Sequence, residues 1–301
     1  MTPTAVVFGG AGFIGRHLTQ RLLNEGVEVW VVDSLLTGTR LEAQPNLHFL
    51  QQDILDLPGL KTSLPHHVDW VYHLAFPTGK CSRERNAQFL DVVTEGMLNV
   101  LDYCLWAEAK LMYGSSISVY GLAQTQPIHE THPLAPILLY GANKCLAEQY
   151  IGVYVQTKGL EATILRISDV FGPYDLRANA VNLFISASLE GRPIEIRGDG
   201  QQIRTFSFVE DIAEGLARAR HIQSEERIYN LGGCQSLNVL ELAKQIIDAT
   251  KKHVPFIFKP EGQDMRNYII DSTRFRMAVG EFEGVGIGRG LEKTVLFRLG
   301  L

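Results

Sequence analysis

Gly9-Gly10-Ala11-Gly12-Phe13-Ile14-Gly15 decides how this chain is read. The stretch follows an apolar run, Ala5-Val6-Val7-Phe8, of the kind a buried parallel strand carries. It opens a helical pattern from Phe13 to Asn24, with Ile14, Leu18, Leu22 and Leu23 on one face. Gly9, Gly12 and Gly15 therefore stand at a strand-to-helix turn. There they permit a tight turn, close approach of a pyrophosphate and close helix–strand packing. The helix N-terminus adds free N–H groups and the positive end of its dipole. Val27 to Val32 reads as the next strand, and Asp33 stands at its C-terminal end. An acidic side chain there binds both ribose hydroxyls of NAD and repels the extra phosphate of NADP. Strand, glycine turn, helix, strand and Asp in succession predict a dinucleotide-binding unit.

The 301 residues suit one large domain or two modest ones. Hydrophobic residues make up 46% and charged residues 20%, which fits a globular protein with a sizeable core. A net charge of −5 without a basic block argues against nucleic acid as a partner. No apolar run approaches membrane-spanning length, and the early first strand leads us to expect no signal peptide. Cys81, Cys104, Cys145 and Cys234 are far apart and form no CxxC pair. They read as free thiols of a reducing compartment, with no metal site and no disulfide framework, so the expected location is the cytoplasm.

Strand and helix patterns alternate through the first half. Strands are expected over Leu47–Gln51, Trp70–Leu74 and Leu111–Ser116, and helices over Leu55–Leu64 and Asn86–Ala107. This alternation predicts an α/β fold with a Rossmann-type, doubly wound parallel sheet. Ligand contacts then lie at strand C-termini, where Asp53, Ala75 and Ser116 fall. The loop Phe76–Arg85, with Lys80, Arg83 and Arg85, reads as a solvated charged loop. A further helix is expected from Tyr140 to Val155, and Tyr140 and Lys144 share one face of it. A phenol, with a pKa of about 10, is a poor base at neutral pH. A lysine ammonium beside it favours the phenolate. Lysine also suits holding a nicotinamide ribose, and Ser116 can share the moving proton.

The second half is expected to hold a strand over Ala162–Ile167 and a helix over Asn179–Glu190. Phe206–Val209 then returns to the sheet ahead of a helix over Glu210–His221. An amphipathic helix follows over Ser236–Thr250, opening on an N-cap, and a short one over Leu291–Phe297.

The order of the motifs carries a resemblance. GGAGFIG, VDSLLTG, QDILD, YHLA, SSISVYG, YGANK, LRISDVFGP, GDGQQIRTFSFVEDIA and YNLGG follow one another over nearly the whole chain. In this the chain resembles the extended short-chain dehydrogenases/reductases, in the group of NAD-dependent sugar-nucleotide epimerases and dehydratases. The resemblance implies a catalytic trio of Ser116, Tyr140 and Lys144. It puts NAD against Gly9, Gly12, Phe13, Ile14, Gly15, Asp33, Ser34, Asp53, Ile54, Leu74 and Ala75, as well as Tyr140 and Lys144. It puts a nucleotide sugar against Ser116, Asp169, Asn182, Leu183, Arg204, Asp264 and Arg266. The fork of Arg204 suits a diphosphate. The implied architecture is a cofactor domain over 1–172 plus about 205–232, interleaved with a smaller α/β substrate domain over about 173–204 and 233–301. A homodimer packed as a four-helix bundle through Asn86–Ala107 and Tyr140–Val155 is implied as well.

Departures from the family pattern narrow the reaction. Family 4,6-dehydratases carry Asp-Glu after the serine, and uronic-acid decarboxylases carry a Glu at the second position. Here those positions hold Ile117 and Ser118. That leaves hydride chemistry at a carbinol, and NAD-dependent 4-epimerisation of a UDP-sugar or related nucleotide sugar is the leading expectation. The alternatives are a 4-ketoreductase or dehydrogenase of a nucleotide-linked deoxysugar and a non-catalytic NAD-binding sensor. Asp169 in place of a common Asn, Val93 in place of an Asn and Ile167 in place of an aromatic residue leave the sugar open.

Overall fold

The computed structural model describes residues 2–77, 90–233, 235–260 and 267–301. Strand β1 (Thr4–Phe8) sends Ala5 and Val7 into the core on one side of a sheet and Val6 and Phe8 into the core on the other. A strand buried on both faces needs such an uninterrupted apolar run, and both faces need helical cover. Helix α1 (Phe13–Asn24) supplies part of that cover through Leu18 and Leu22. The chain then continues through β2 (Glu28–Asp33), β3 (Leu47–Gln51), α2 (Leu57–Ser63), β4 (Trp70–His73), α3 (Met97–Trp106), β5 (Lys110–Ser116), α4 (Leu139–Lys158) and β6 (Ala162–Ile167). A single wider helical turn, Val92–Gly96, precedes α3, and Asn86–Phe89 of the expected helix lie outside the described residues.

After β6 the chain leaves this sheet to form β7 (Asp169–Phe171), α5 (Ala180–Leu189), β8 (Ile194–Arg197) and β9 (Ile203–Phe208). It returns through α6 (Val209–Ala219) to β10 (Ile228–Leu231). The described remainder is β11 (Ser236–Asn238), α7 (Val239–Thr250), β12 (Phe256–Lys259), α8 (Thr273–Val279) and α9 (Ile287–Arg298). The main sheet has seven strands in the order β10-β6-β5-β4-β1-β2-β3. All its pairs are parallel, for example Val6 with Trp30 and Val6 with Val71. This is the doubly wound Rossmann-type architecture, and the reversal of strand order beside β1 opens the crevice in which such sheets bind ligands.

Two expectations are corrected. Phe206–Val209 does not return to the main sheet. β9 pairs in parallel with β7 and antiparallel with β11 in a separate three-stranded sheet. The strand that rejoins the main sheet is the one after α6, as a crossover helix requires, and Ile228–Leu231 pairs with β6. The helix expected from Ser236 begins at Val239. Ser236–Asn238 is spent on β11, and Asn238 closes a capping box with Glu241.

One buried polar network ties the helix α4 to the sheet. Glu148 of α4 accepts from Ser115 Oγ at 2.5 Å and pairs with Arg166 of β6 through Nε at 3.1 Å and Nη2 at 2.7 Å. Arg166 Nη1 donates to the Tyr120 hydroxyl at 3.1 Å and to the Glu130 carbonyl at 3.0 Å. The Tyr120 hydroxyl donates in turn to Asn230 Oδ1 of β10 at 2.5 Å. The side chains of Arg166 and Glu148 are only 3% and 4% exposed, so removing either strands a charge in the core. Glu148→Ala is expected to cost about 3–5 kcal/mol of unfolding free energy, read as a lowered urea midpoint. Lys259→Ala, which breaks an exposed pair with Glu195, is expected to leave that midpoint unchanged.

Candidate active site

The cofactor crevice is built from backbone before side chains. Gly9 has φ +80°, and a Cβ on it would lie 2.5 Å from the Ala75 nitrogen at the end of β4. A Cβ on Gly15 would lie 2.1 Å from the Gly9 carbonyl oxygen. The turn is therefore pressed against both α1 and the β4 exit, with no room for a side chain between them. Gly12 caps α1 without a side-chain hydrogen bond, so the first N–H groups of the helix keep their donors. The Asp33 carboxylate accepts from the Ala11 amide at 3.0 Å and the Leu35 amide at 2.8 Å, which fixes it beside the glycine turn. Ser34 next to it is exposed.

At the exit of β3, Asp53 accepts from the Leu55 amide at 3.1 Å. Ile54 is buried, and its carbonyl accepts from Asn99. Leu74 gives its amide to Phe8 at 2.9 Å. Asp33, Asp53, Leu74 and Ala75 follow the C-terminal ends of β2, β3 and β4, next to the glycine turn that follows β1. An open helix N-terminus, a glycine cradle that a Cβ would fill and a carboxylate at the β2 end fit NAD.

Ser116, Tyr140 and Lys144 come together at the end of β5. Ser116 opens the short helical turn Ile117–Val119, and its Oγ accepts from the Ser118 amide at 3.2 Å. The Ser116 hydroxyl faces the Tyr140 oxygen and favours its ionised form. Lys144 is buried; its Nζ donates to the Gly114 carbonyl at 2.7 Å and stands 4.1 Å from the Phe76 ring centre. Burial raises the Tyr140 phenol above its ordinary pKa, while the Ser116 hydrogen bond and the Arg177 charge pull it back and Asp169 pushes it up. Burial also holds the Lys144 ammonium down to about 7, against the pull of Glu148.

Lys144 Nζ lies 6.0 Å from the Tyr140 ring centre and donates to Gly114, and the Arg177 charge also favours the phenolate. Behind the trio, His73 is buried with Nδ1 unpaired, and burial and then the Lys144 charge push it down to about 3.

On the substrate side, Asp169 Oδ2 stands 3.6 Å from Arg204 Nη1, so the carboxylate expected to repel a diphosphate faces the arginine expected to bind one. Arg204 also lies over the Tyr268 ring, at 5.2 Å. Asn182 is buried, and its Nδ2 donates to the carbonyls of Asp175 at 3.0 Å and Arg177 at 2.9 Å. Its side-chain amide N–H therefore braces a loop. Leu183 is 55% exposed, and Asn182 and Leu183 border a cleft of about 320 Å³ that does not include the trio. Asp264, Arg266, Lys80, Arg83 and Arg85 lie outside the described residues, as do Cys81 and Cys234. Cys104 and Cys145 are free thiols. Ile167 and Val93 are both buried in the core.

Arg177, whose charge reaches Tyr140, was not singled out by sequence reasoning. It belongs to no motif of the resemblance. The signal available was an Asp-x-Arg just ahead of Asn179, which caps α5 by accepting from the Asn182 amide at 2.9 Å.

Residues 5–232 match the sequence pattern described as the NAD dependent epimerase/dehydratase family. UDP-glucuronic acid decarboxylase 1 of Danio rerio is 30% identical over 308 residues, covering 97% of this chain and 72% of that one. The crystal structure of UDP-glucose 4-epimerase with UDP-glucose from Thermotoga maritima has a TM-score of 0.91 at 28% identity, covering 99% of both chains. The Thermus thermophilus UDP-glucose 4-epimerase complex with NAD has a TM-score of 0.86 at 30% identity, covering 98% of this chain and 99% of that one. The match runs from β1 to the turn after β10 and so spans the ends of β1 to β5 that line the crevice. The chain is an enzyme of the NAD-dependent epimerase/dehydratase family, a family of sugar-nucleotide epimerases, dehydratases and decarboxylases whose cofactor is NAD.

Proposed function

We propose that this enzyme interconverts a UDP-linked or related nucleotide sugar with its 4-epimer through a transient 4-keto sugar. The observation that carries the reading is the turn after Ser116. Ile117 is buried in a small apolar cluster with Tyr120, Ile128, Tyr268 and Ile270. Ser118 gives its amide to Ser116. Neither residue can supply the carboxyl group that the resemblance associates with elimination or decarboxylation. The serine, tyrosine and lysine that the resemblance makes catalytic are all present beside them. The solved epimerases of the same fold support the reading, and the decarboxylase relative is weighed against it by the residues at 117 and 118.

NAD, when bound, supplies the acceptor and donor for the hydride of sugar C4. Tyr140 takes the proton from the C4 hydroxyl, with Ser116 bridging, and gives it back after the sugar has turned its other face. The phenol needs help to ionise in a dry site, and the Ser116 hydroxyl and the Arg177 charge give it. Lys144, fixed by the Gly114 carbonyl, orients the nicotinamide ribose. Asp33 takes the adenosine ribose hydroxyls. Arg204 binds the substrate diphosphate, exchanging its contact with Asp169 for phosphate oxygens, and Asp169 is then released toward sugar hydroxyls. Holding the diphosphate away from the reacting carbon keeps the ketone in the pocket while it rotates. The homodimer through α3 and α4 belongs to the same proposal, supported by Val153 of α4, which is 53% exposed.

Proton NMR of nucleotide sugars incubated with the purified enzyme, without added cofactor, tests the reaction. One sugar should interconvert with its 4-epimer without net redox. Conversion only of a 4-keto sugar with NADH or NADPH supplied would replace the epimerase by the ketoreductase, and loss of water or carbon dioxide would return it to the dehydratases or decarboxylases. Tyr140→Phe should lower turnover by about 100- to 10,000-fold with NAD still bound. Ser116→Ala removes a hydrogen bond that favours the phenolate, so the limb of the turnover profile that rises with pH should move to higher pH.

A further inference from the structure

Asp169 is a carboxylate placed where a carboxylate works against the reaction. Ile167, the last residue of β6, pairs with Ser116, and the chain then turns out of the main sheet into β7. Ser168 pins that turn. It is buried, gives its amide to the Leu231 carbonyl at 3.0 Å and shares a 2.6 Å hydrogen bond with the Ser207 hydroxyl. Asp169 comes next, with its side chain 47% exposed and Oδ2 3.6 Å from Arg204 Nη1. Its charge reaches Tyr140 and opposes ionisation of the phenol. An amide of the same shape would oppose neither the phenolate nor a diphosphate on Arg204. The neighbouring cations are already matched: Arg177 is forked to Asp175 at 2.7 and 2.9 Å, and Arg166 is forked to Glu148. Lys144 is held down to about 7 and donates to the Gly114 carbonyl. Once a diphosphate takes Arg204, Asp169 therefore tips the charge of the described side chains around the sugar to negative.

We infer that Asp169 sets the sugar specificity of this site: its carboxylate refuses sugars that carry an acid group and admits sugars whose ring substituents are neutral donors. A sugar hydroxyl donates to a carboxylate in a charge-assisted hydrogen bond, stronger than the one it would give an amide. A sugar carboxylate brings no proton to that bond and adds a like charge in a partly buried place, where salt screens poorly. The pinned backbone at Ser168 limits how far Asp169 can retreat from such a ligand. Discrimination then comes from a repulsive element as much as from an attractive one, which accounts for a charge that otherwise only hinders the phenolate. The inference rests on the reading in which Arg204 holds the diphosphate and Tyr140 faces the sugar. It does not depend on the reaction being a 4-epimerisation, and its test reads binding and not turnover.

Affinities are measured by titration calorimetry on the full chain loaded with NAD, in a Tyr140→Phe background so that no ligand turns over. The probes are UDP, UDP-glucose and UDP-glucuronic acid; the two sugars differ only in the acid group. With Asp169 present, UDP-glucuronic acid should bind about tenfold or more weaker than UDP-glucose. Asp169→Asn should bring the two within about twofold of each other, and Asp169→Glu should keep the gap. Asp169→Asn also relieves Arg204 of its carboxylate, so every probe should gain a common factor, which UDP alone reports and the ratio of the two sugars cancels. Equal affinities for the two sugars with Asp169 present would overturn the inference. So would a gap that survives in folded Asp169→Asn, because another group would then refuse the acid sugar. Arg204→Gln tests the underlying reading separately and should weaken UDP. UDP affinity unchanged in that variant would take the diphosphate away from Arg204, and the inference would fall with it.

Discussion

The ion pair between Glu148 and Arg166 is the constraint on which the active site depends. Glu148 sits on the same helix as Tyr140 and Lys144, and Arg166 sits on β6. Ser115, which bonds Glu148, is adjacent to Ser116 in β5. The network therefore sets the distance between the strand that carries the serine and the helix that carries the tyrosine and lysine. Lys144 adds a second tie through Gly114, again to β5. A buried ion pair is a poor way to gain net stability against an apolar alternative. It is a good way to fix register, because its fork admits one geometry. Hydrophobic packing supplies the stability of this fold, and the polar network makes the reactive corner unique.

The same burial sets the electrostatics. Lys144 is held down to about 7, His73 is pushed to about 3 and Tyr140 is raised, so each group moves toward its neutral form. For Lys144 the folded state gives up its proton at lower pH than the unfolded chain does. The cost of its buried ammonium is present in full below about pH 7 and is relieved as pH rises toward 10.5. A corner that disfavours its own charges is one in which the charge of a bound ligand, or of a proton in transit, is felt strongly.

The parts legible in the sequence are those where local pattern and tertiary role coincide. β1, α1 and β2 announce themselves through the glycine turn, and Ser116, Tyr140 and Lys144 through their order after it. What could not be read rests on partners distant in the chain. β7 and β11 are three residues each, too short to carry a period, and exist because β9 pairs with both. β10 is a four-residue strand, Ile228-Tyr229-Asn230-Leu231, too short to carry a period, and its place is decided by β6 and by the crossover of α6. Spacing along a helix places Tyr140 and Lys144 on one face but does not say which neighbouring carbonyl a side chain will meet, and Lys144 Nζ donates to Gly114. Arg177 offers a local signal in its pairing with Asp175, but its contact with Phe13 of the first turn of α1 is distant in the chain and could not be read.

Ile117 limits how this scaffold can be repurposed. The position at which the resemblance separates one reaction type from another is buried at 4% exposure, inside a cluster closed by Tyr120, Tyr268 and Ile270. A carboxyl group introduced there would meet apolar walls and would be driven to its neutral form. The neighbouring Ser118 is only partly buried and is open to exchange. The two adjacent positions thus differ in how freely they can change. An acid at 117 would require remodelling of that small hydrophobic pocket, whereas an acid at 118, the position that carries Glu in the decarboxylases of the resemblance, would not.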